Sequence, residues 1–254
     1  MATPLELQMM LDRADVRATE RKRRLFAVAC CRRISHLMTE SRCQQMLEMA
    51  DNLGLLSFIE NKDIISPAFL MQTVEDIESL AEGEKSAQEL EQASDAADTL
   101  HQVIDNYYAC YSESWGPIDQ DLLATSEAAG VLYEAISYSA FESAKAAARA
   151  VYRSTGDTEE DIVEHPAEIA AQCELVRDIF GCPTQLVADP GWQTSTIQGL
   201  AREIYEDRSF ELLPILGDAL EDVGADAAIL DHLRSPGPHV RGCWALDLIL
   251  SHYR

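Results

Sequence analysis

Apolar residues recur at spacings of three and four along most of this chain, the period of a helix with one buried face. Leu5, Met9 and Leu11 mark a short amphipathic helix over residues 5–14. Thr19 precedes a charged turn and then "RLFAVACCRRISHLM", in which Leu25, Val28, Ala29, Cys31, Ile34 and Leu37 keep the same period. Thr39 opens a helix over 40–53 that Gly54 ends. Ser66-Pro67 opens another, because proline suits a first helical turn. Ala-rich helices are expected over 86–111 and 119–153, on either side of a break at "WGP" (115–117). A polar acidic connection, "STGDTEEDIVEHP", leads to a helix over 166–180 that stops at "GCP". Irregular chain over 181–193 carries one short strand pair near 184–188. Three short helices follow, "TSTIQGLAREIYED", "FELLPILGDALEDVG" and "DAAILDHLR", with Pro214 near the start of the second. Pro236-Gly237-Pro238 then stops one helix and sets the entry of the last, which contains "GCWALDLIL".

Composition agrees with this pattern. The 254 residues are 47% hydrophobic, with 12 glycines, nine prolines and 7% aromatics, a poor mixture for a turn-rich β fold. The expected architecture is an all-α multi-helix bundle of about nine to ten helices, its N- and C-terminal helices packed together. The chain reads as a single helical domain over 1–254, with a variable acidic middle (55–165) and a C-terminal helical subdomain (166–254). No apolar run of membrane-spanning length occurs, and the N-terminus lacks the apolar core of a secretion signal. The seven cysteines (30, 31, 43, 110, 173, 182, 243) lie scattered and mostly inside helical patterns, as expected for reduced thiols of a cytoplasmic protein.

Charge changes the picture more. The net charge is -24, yet residues 1–42 hold nine Lys/Arg against five Asp/Glu. The acidic remainder repels a phosphate backbone, so nucleic-acid binding is unexpected except through the basic segment 13–33. The plainer fate of that segment is to pair with acids, either of this chain or of a partner.

"RLFAVACCRRISHL", "LVRDIFGCP" and "GPHVRGCWALDL", in this order, resemble an uncharacterised paralogous family of planctomycetes and related bacteria. The resemblance covers roughly residues 20–55 and 170–251. It departs at "FGCPTQLV", where the family has an "FGNPF"-like turn. It implies no activity, cofactor or catalytic residue.

Several constellations offer chemistry. His239 and Cys243 are spaced i, i+4, half of a zinc site if both sit on the start of the terminal helix; Cys31 and His36 are the other half on offer. Against it, Cys31 and His36 are five apart and there is no CxxC, so a packed cysteine beside a hydrogen-bonded histidine is the plainer reading. A dinuclear carboxylate centre needs Glu-x-x-His twice, and the chain offers only Asp98-x-x-His101. No GxSxG, GxxxxGK[ST] or GxGxxG occurs, and Cys182 is the most exposed-looking thiol but has no marked base. Trp115, Trp192 and Trp244 read as core residues before stacking platforms.

Charges inside apolar patterns are more informative. Asp247 in "CWALDLIL", Arg32 and Arg33 after "AVACC", and Arg177 and Asp178 before "IFG" all need partners. Asp247 is expected to form a buried ion pair with Arg32 or Arg33. The expected function is protein–protein interaction, as an adaptor, inhibitor or regulatory subunit with a basic or helical partner, needing no cofactor. The alternative is a small enzyme or a metal- or anionic-ligand-binding protein. Its site would lie between the 236–243 loop and the 30–36 helix, using Arg32, Arg33, His36, His239 and Arg241.

Overall fold

The computed structural model describes residues 3–15, 18–41, 43, 44, 48, 66–86, 88, 124, 128, 144–148, 150, 151, 165–182 and 186–252. The fold is all-α, with no strand among the described residues. The chain divides into two compact units, Met1–Gln172 and Cys173–Arg254.

In the first unit, α1 (Pro4–Asp15) buries Leu7 and Leu11 while Leu5 and Met9 stay exposed. The next helix, α2 (Glu20–Ile34), starts where Thr19 accepts a hydrogen bond from the Lys22 amide. Every residue from Leu25 to Cys31 is buried. A stretch buried on every side is central to its unit, and among the described elements α2 packs on α3 (Pro67–Ala81). There Leu70, Val74 and Ile77 face inward, and Ser66 caps the start by accepting from the Phe69 amide.

The expected continuation of α2 to Met38 does not occur. Ser35 Oγ donates to the Arg32 carbonyl and His36 Nδ1 contacts that of Arg33, so the last turn's free carbonyls are satisfied locally and a 3-10 turn follows over Ser35–Leu37. The helix expected over 40–53, the Ala-rich helices and the acidic connection fall largely outside the described residues. The described alanines of the Ala-rich stretch, Ala124, Ala128, Ala144, Ala146, Ala147, Ala148 and Ala150, are helical and buried. Small side chains permit such close helix contact.

The helix α4 (Pro166–Phe180) closes the first unit at Gln172 and opens the second at Cys173. Leu186, Val187 and Ala188 are irregular rather than extended in a strand; Thr184 and Gln185 lie outside the described residues. Then come α5 (Ser195–Asp207), α6 (Leu213–Glu221), α7 (Ala227–Leu233) and α8 (Trp244–Leu250). Thr194 caps α5 and Asp226 caps α7 through their side-chain oxygens, and Pro214 sits in the first turn of α6. Their inner faces make one core: Ile197, Ile204, Leu213, Leu216, Ile229, Leu246 and Ile249, with both Trp192 and Trp244 buried. Gln198 Nε2 donates to the carbonyls of Trp192 and Ile249, tying the start of α5 to the end of α8.

The terminal helix starts later than its spacing suggests. Its first residue is Trp244, so His239 lies in an extended turn and Gly242 is not helical. Gly242 adopts φ +89°, a conformation that glycine reaches without strain. Gly242→Ala is therefore expected to lower unfolding free energy by about 1–3 kcal/mol, measured by urea denaturation, rather than stabilise as a helical Gly→Ala change would.

Candidate functional site

The one group of potential metal-ligating side chains among the described residues is Asp178, His232, His239 and Cys243. All four belong to the second unit. Asp178 projects from the last turns of α4, His232 from α7, and His239 and Cys243 bracket the turn before α8. One donor atom from each lies within 4.8 Å of every other. Asp178 Oδ1 is 2.8 Å from His239 Nδ1 and 3.2 Å from His232 Nε2. Cys243 Sγ is also 3.2 Å from His232 Nε2. The sulfur and the carboxylate are buried, and the His239 side chain is only 7% exposed.

The surrounding chain orients these donors from behind. The Val240 amide donates to Asp178 Oδ2 at 3.0 Å, which leaves Oδ1 turned to the group. His239 Nε2 lies 3.1 Å from the Ser235 carbonyl oxygen. A carbonyl can only accept, so Nε2 carries the hydrogen and Nδ1 faces Asp178. Ser235 Oγ in turn donates to the His232 carbonyl at 2.7 Å. The His232 ring lies edge-on to that of His239 and packs on Trp244, with centroids 5.1 and 4.6 Å away.

Electrostatics bind the group together. Burial pushes the Asp178 carboxyl up, but hydrogen bonds from His232 and His239 outweigh it and hold its pKa below the ordinary value. Burial likewise opposes charge on His239, and the Asp178 carboxylate outweighs it, raising the imidazole's pKa. Burial and then the charge of Asp178 push the Cys243 thiol well above its usual value, against the lowering effect of the Leu246 and Ala245 amides. These features oppose nucleophilic catalysis. The thiol is buried and held protonated, and the Ser235 hydroxyl spends its proton on a backbone carbonyl.

The sequence-derived candidates are distributed differently. Arg32, Arg33, His36 and Cys31 belong to the first unit, and His239, Arg241 and Cys243 to the second. Arg32 is held by Glu75 (2.7 Å) and Glu78 (3.1 Å), and Arg33 forks onto Glu168 at 2.9 and 2.7 Å. The acids beside these two arginines are Glu75, Glu78 and Glu168 of their own unit. Asp247 is fully buried, as expected of a helix fastener, but its carboxylate lies 3.7 Å from His252 Nδ1. Arg241 donates to the carbonyls of Tyr205 and Glu206 and lies over the Tyr205 ring, so it closes the end of α5. Cys31 is buried on α2, where burial pushes its thiol up to about 12. Cys182 is half-buried against the second unit's core.

Within the second unit, the pair His239 and Cys243 is grouped with Asp178 and His232. Asp178 carried a signal, a carboxylate just before "IFG" in an apolar run. His232 carried none beyond its place on a short helix. No protein-family model, curated protein or solved structure matches the chain.

Proposed function

We propose that this is an acidic, cytoplasmic helical protein that works by protein–protein interaction, with a basic amphipathic segment as its partner. The observation that carries the reading is the fate of the basic stretch. Arg21 pairs with Glu82, Arg24 with Glu20, Arg32 with Glu75 and Glu78, and Arg33 with Glu168. These cations are neutralised inside their own unit, so the negative charge elsewhere is left to define the surface.

The second unit supplies a face with matching chemistry. Glu211, Asp218, Glu221 and Asp222 are exposed on and around α6, and Ile215 (55% exposed) and Val223 (42%) stand among them. Arg234 answers two of these acids, Asp218 at 2.7 Å and Glu221 at 2.5 Å. Exposed apolar residues with carboxylates close to them in the chain suit a helix that carries Lys or Arg beside its apolar stripe.

A labelled Lys-rich amphipathic peptide tests this by fluorescence anisotropy, with an acidic peptide of equal hydrophobicity as control. The basic peptide is expected to bind with an affinity that falls as salt rises, and Ile215→Asp with Asp222→Lys is expected to weaken it at least about tenfold. Equal binding of both peptides, or affinity indifferent to salt and to these substitutions, overturns the proposal.

The anionic-ligand alternative draws no support from Arg32 and Arg33, whose donors are committed to carboxylates. Its metal-binding part is favoured by a specific observation, the convergence of four donors around Asp178.

A further inference from the structure

We infer that Asp178, His232, His239 and Cys243 hold one zinc-class divalent ion as a closed structural centre, tying α4 to α7 and to the turn before α8. This goes beyond the interaction reading and does not depend on it.

The donor set is the first argument. One thiol, two imidazoles and one carboxylate are borderline-to-soft ligands, suited to zinc, cobalt or iron(II) and unsuited to magnesium or calcium, which prefer oxygen alone. Four protein donors complete a tetrahedron and leave no position for substrate, the pattern of a structural rather than a catalytic zinc site.

Spacing is the second. Zinc–nitrogen bonds near 2.0–2.1 Å and a zinc–sulfur bond near 2.3 Å imply edges of about 3.3–3.6 Å between donor atoms. The observed separations of 2.8, 3.2 and 3.2 Å fall a few tenths of an ångström short of that range, and the whole group lies within 4.8 Å. Shifts of about 0.5 Å at the ring and carboxylate donors, small against ordinary side-chain motion, would admit an ion.

Orientation is the third, and it separates a ligand set from a chance polar contact. A ligating histidine characteristically gives its other N–H to a carbonyl or carboxylate, and a ligating carboxylate is itself hydrogen-bonded. His239 does the first through Nε2 and the Ser235 carbonyl, and Asp178 the second through Oδ2 and the Val240 amide. Each back atom is taken by the main chain of the 235–243 segment, so Nδ1 and Oδ1 are aimed at one another and at the sulfur. On binding, Sγ forms its bond to the metal as the thiol's proton leaves to solvent, and His239 gives up the Nδ1 proton where it is charged; no electron is transferred.

Cobalt(II) is the probe, titrated into the chelator-treated full chain, with zinc as competitor. One equivalent is expected to give the intense visible bands of tetrahedral cobalt and a thiolate-to-cobalt band in the near ultraviolet. One equivalent of zinc is expected to abolish both. Cys243→Ser is expected to lose the thiolate band and to weaken zinc binding at least about tenfold. Should that variant not fold, Asp178→Asn replaces it, with the same expected loss of affinity. A folded chain that gives no tetrahedral spectrum overturns the inference. Bands and affinity that survive the substitution overturn it as well, because the metal then sits on other thiols.

Discussion

Asp178→Ala is expected to remove about 3–5 kcal/mol from the unfolding free energy, even in the presence of a chelator. Asp178 is 2% exposed, and its two oxygens meet His239 Nδ1, His232 Nε2 and the Val240 amide. Deleting the carboxylate leaves His239, His232 and the Val240 amide without the acceptor they share, in a buried site, and removes the charge that raises the His239 pKa. The loss is a large share of the about 5–15 kcal/mol by which domains are stable. Urea unfolding followed by tryptophan fluorescence reads it, because Trp192 and Trp244 both lie in this unit's core. Asp178→Asn keeps the size and one acceptor, so its loss should be smaller. If the alanine variant unfolds within about 0.5 kcal/mol of the parent, the level of an ordinary surface change, the carboxylate is not the keystone of the cluster.

Much of this architecture was legible in the sequence because its signals are local. Thr19 and Ser66-Pro67 mark helix starts through a side-chain oxygen near the first free amides, and the structure uses both in that way. The apolar period of α2 and the small residues of the Ala-rich stretch likewise report burial directly.

The site was only half legible, for a geometric reason. The i, i+4 spacing of His239 and Cys243 brings two side chains together on a helix, but these residues are not on one. A glycine at φ +89° turns the chain between them, and the two donors converge through that turn. Their companions come from α4 and α7, at sequence distances that no spacing rule covers. The partners of Arg32 and Arg33 were hidden for a related reason. A buried acid and two arginines on an apolar helix each announce that a counter-charge exists. Nothing in their local sequence says which one, and Glu75, Glu78 and Glu168 lie on helices whose own pattern gives those acids no special mark.

That same ambiguity makes the Arg33–Glu168 pair worth breaking from both ends. Glu168 is 5% exposed and Arg33 35%. Glu168 also accepts from Gln172 Nε2 at 3.3 Å, and the fork from Arg33, at 2.9 and 2.7 Å, supplies its positive counter-charge. When Glu168→Ala removes the acid, the arginine's long stem can turn its head toward water, so the expected loss is about 1.5–3 kcal/mol, the worth of charge-assisted hydrogen bonds. When Arg33→Ala removes the cation, Glu168 has no such exit, and an uncompensated buried charge is expected to lower stability by about 3–5 kcal/mol. The asymmetry is the diagnostic result. Replacing both residues together by leucine should lose less than Arg33→Ala alone, because the stranded charge disappears with its partner. Urea unfolding of the three variants at one ionic strength decides the matter. Equal losses from either single substitution would mean that Glu168 reaches solvent or a second cation when Arg33 is gone.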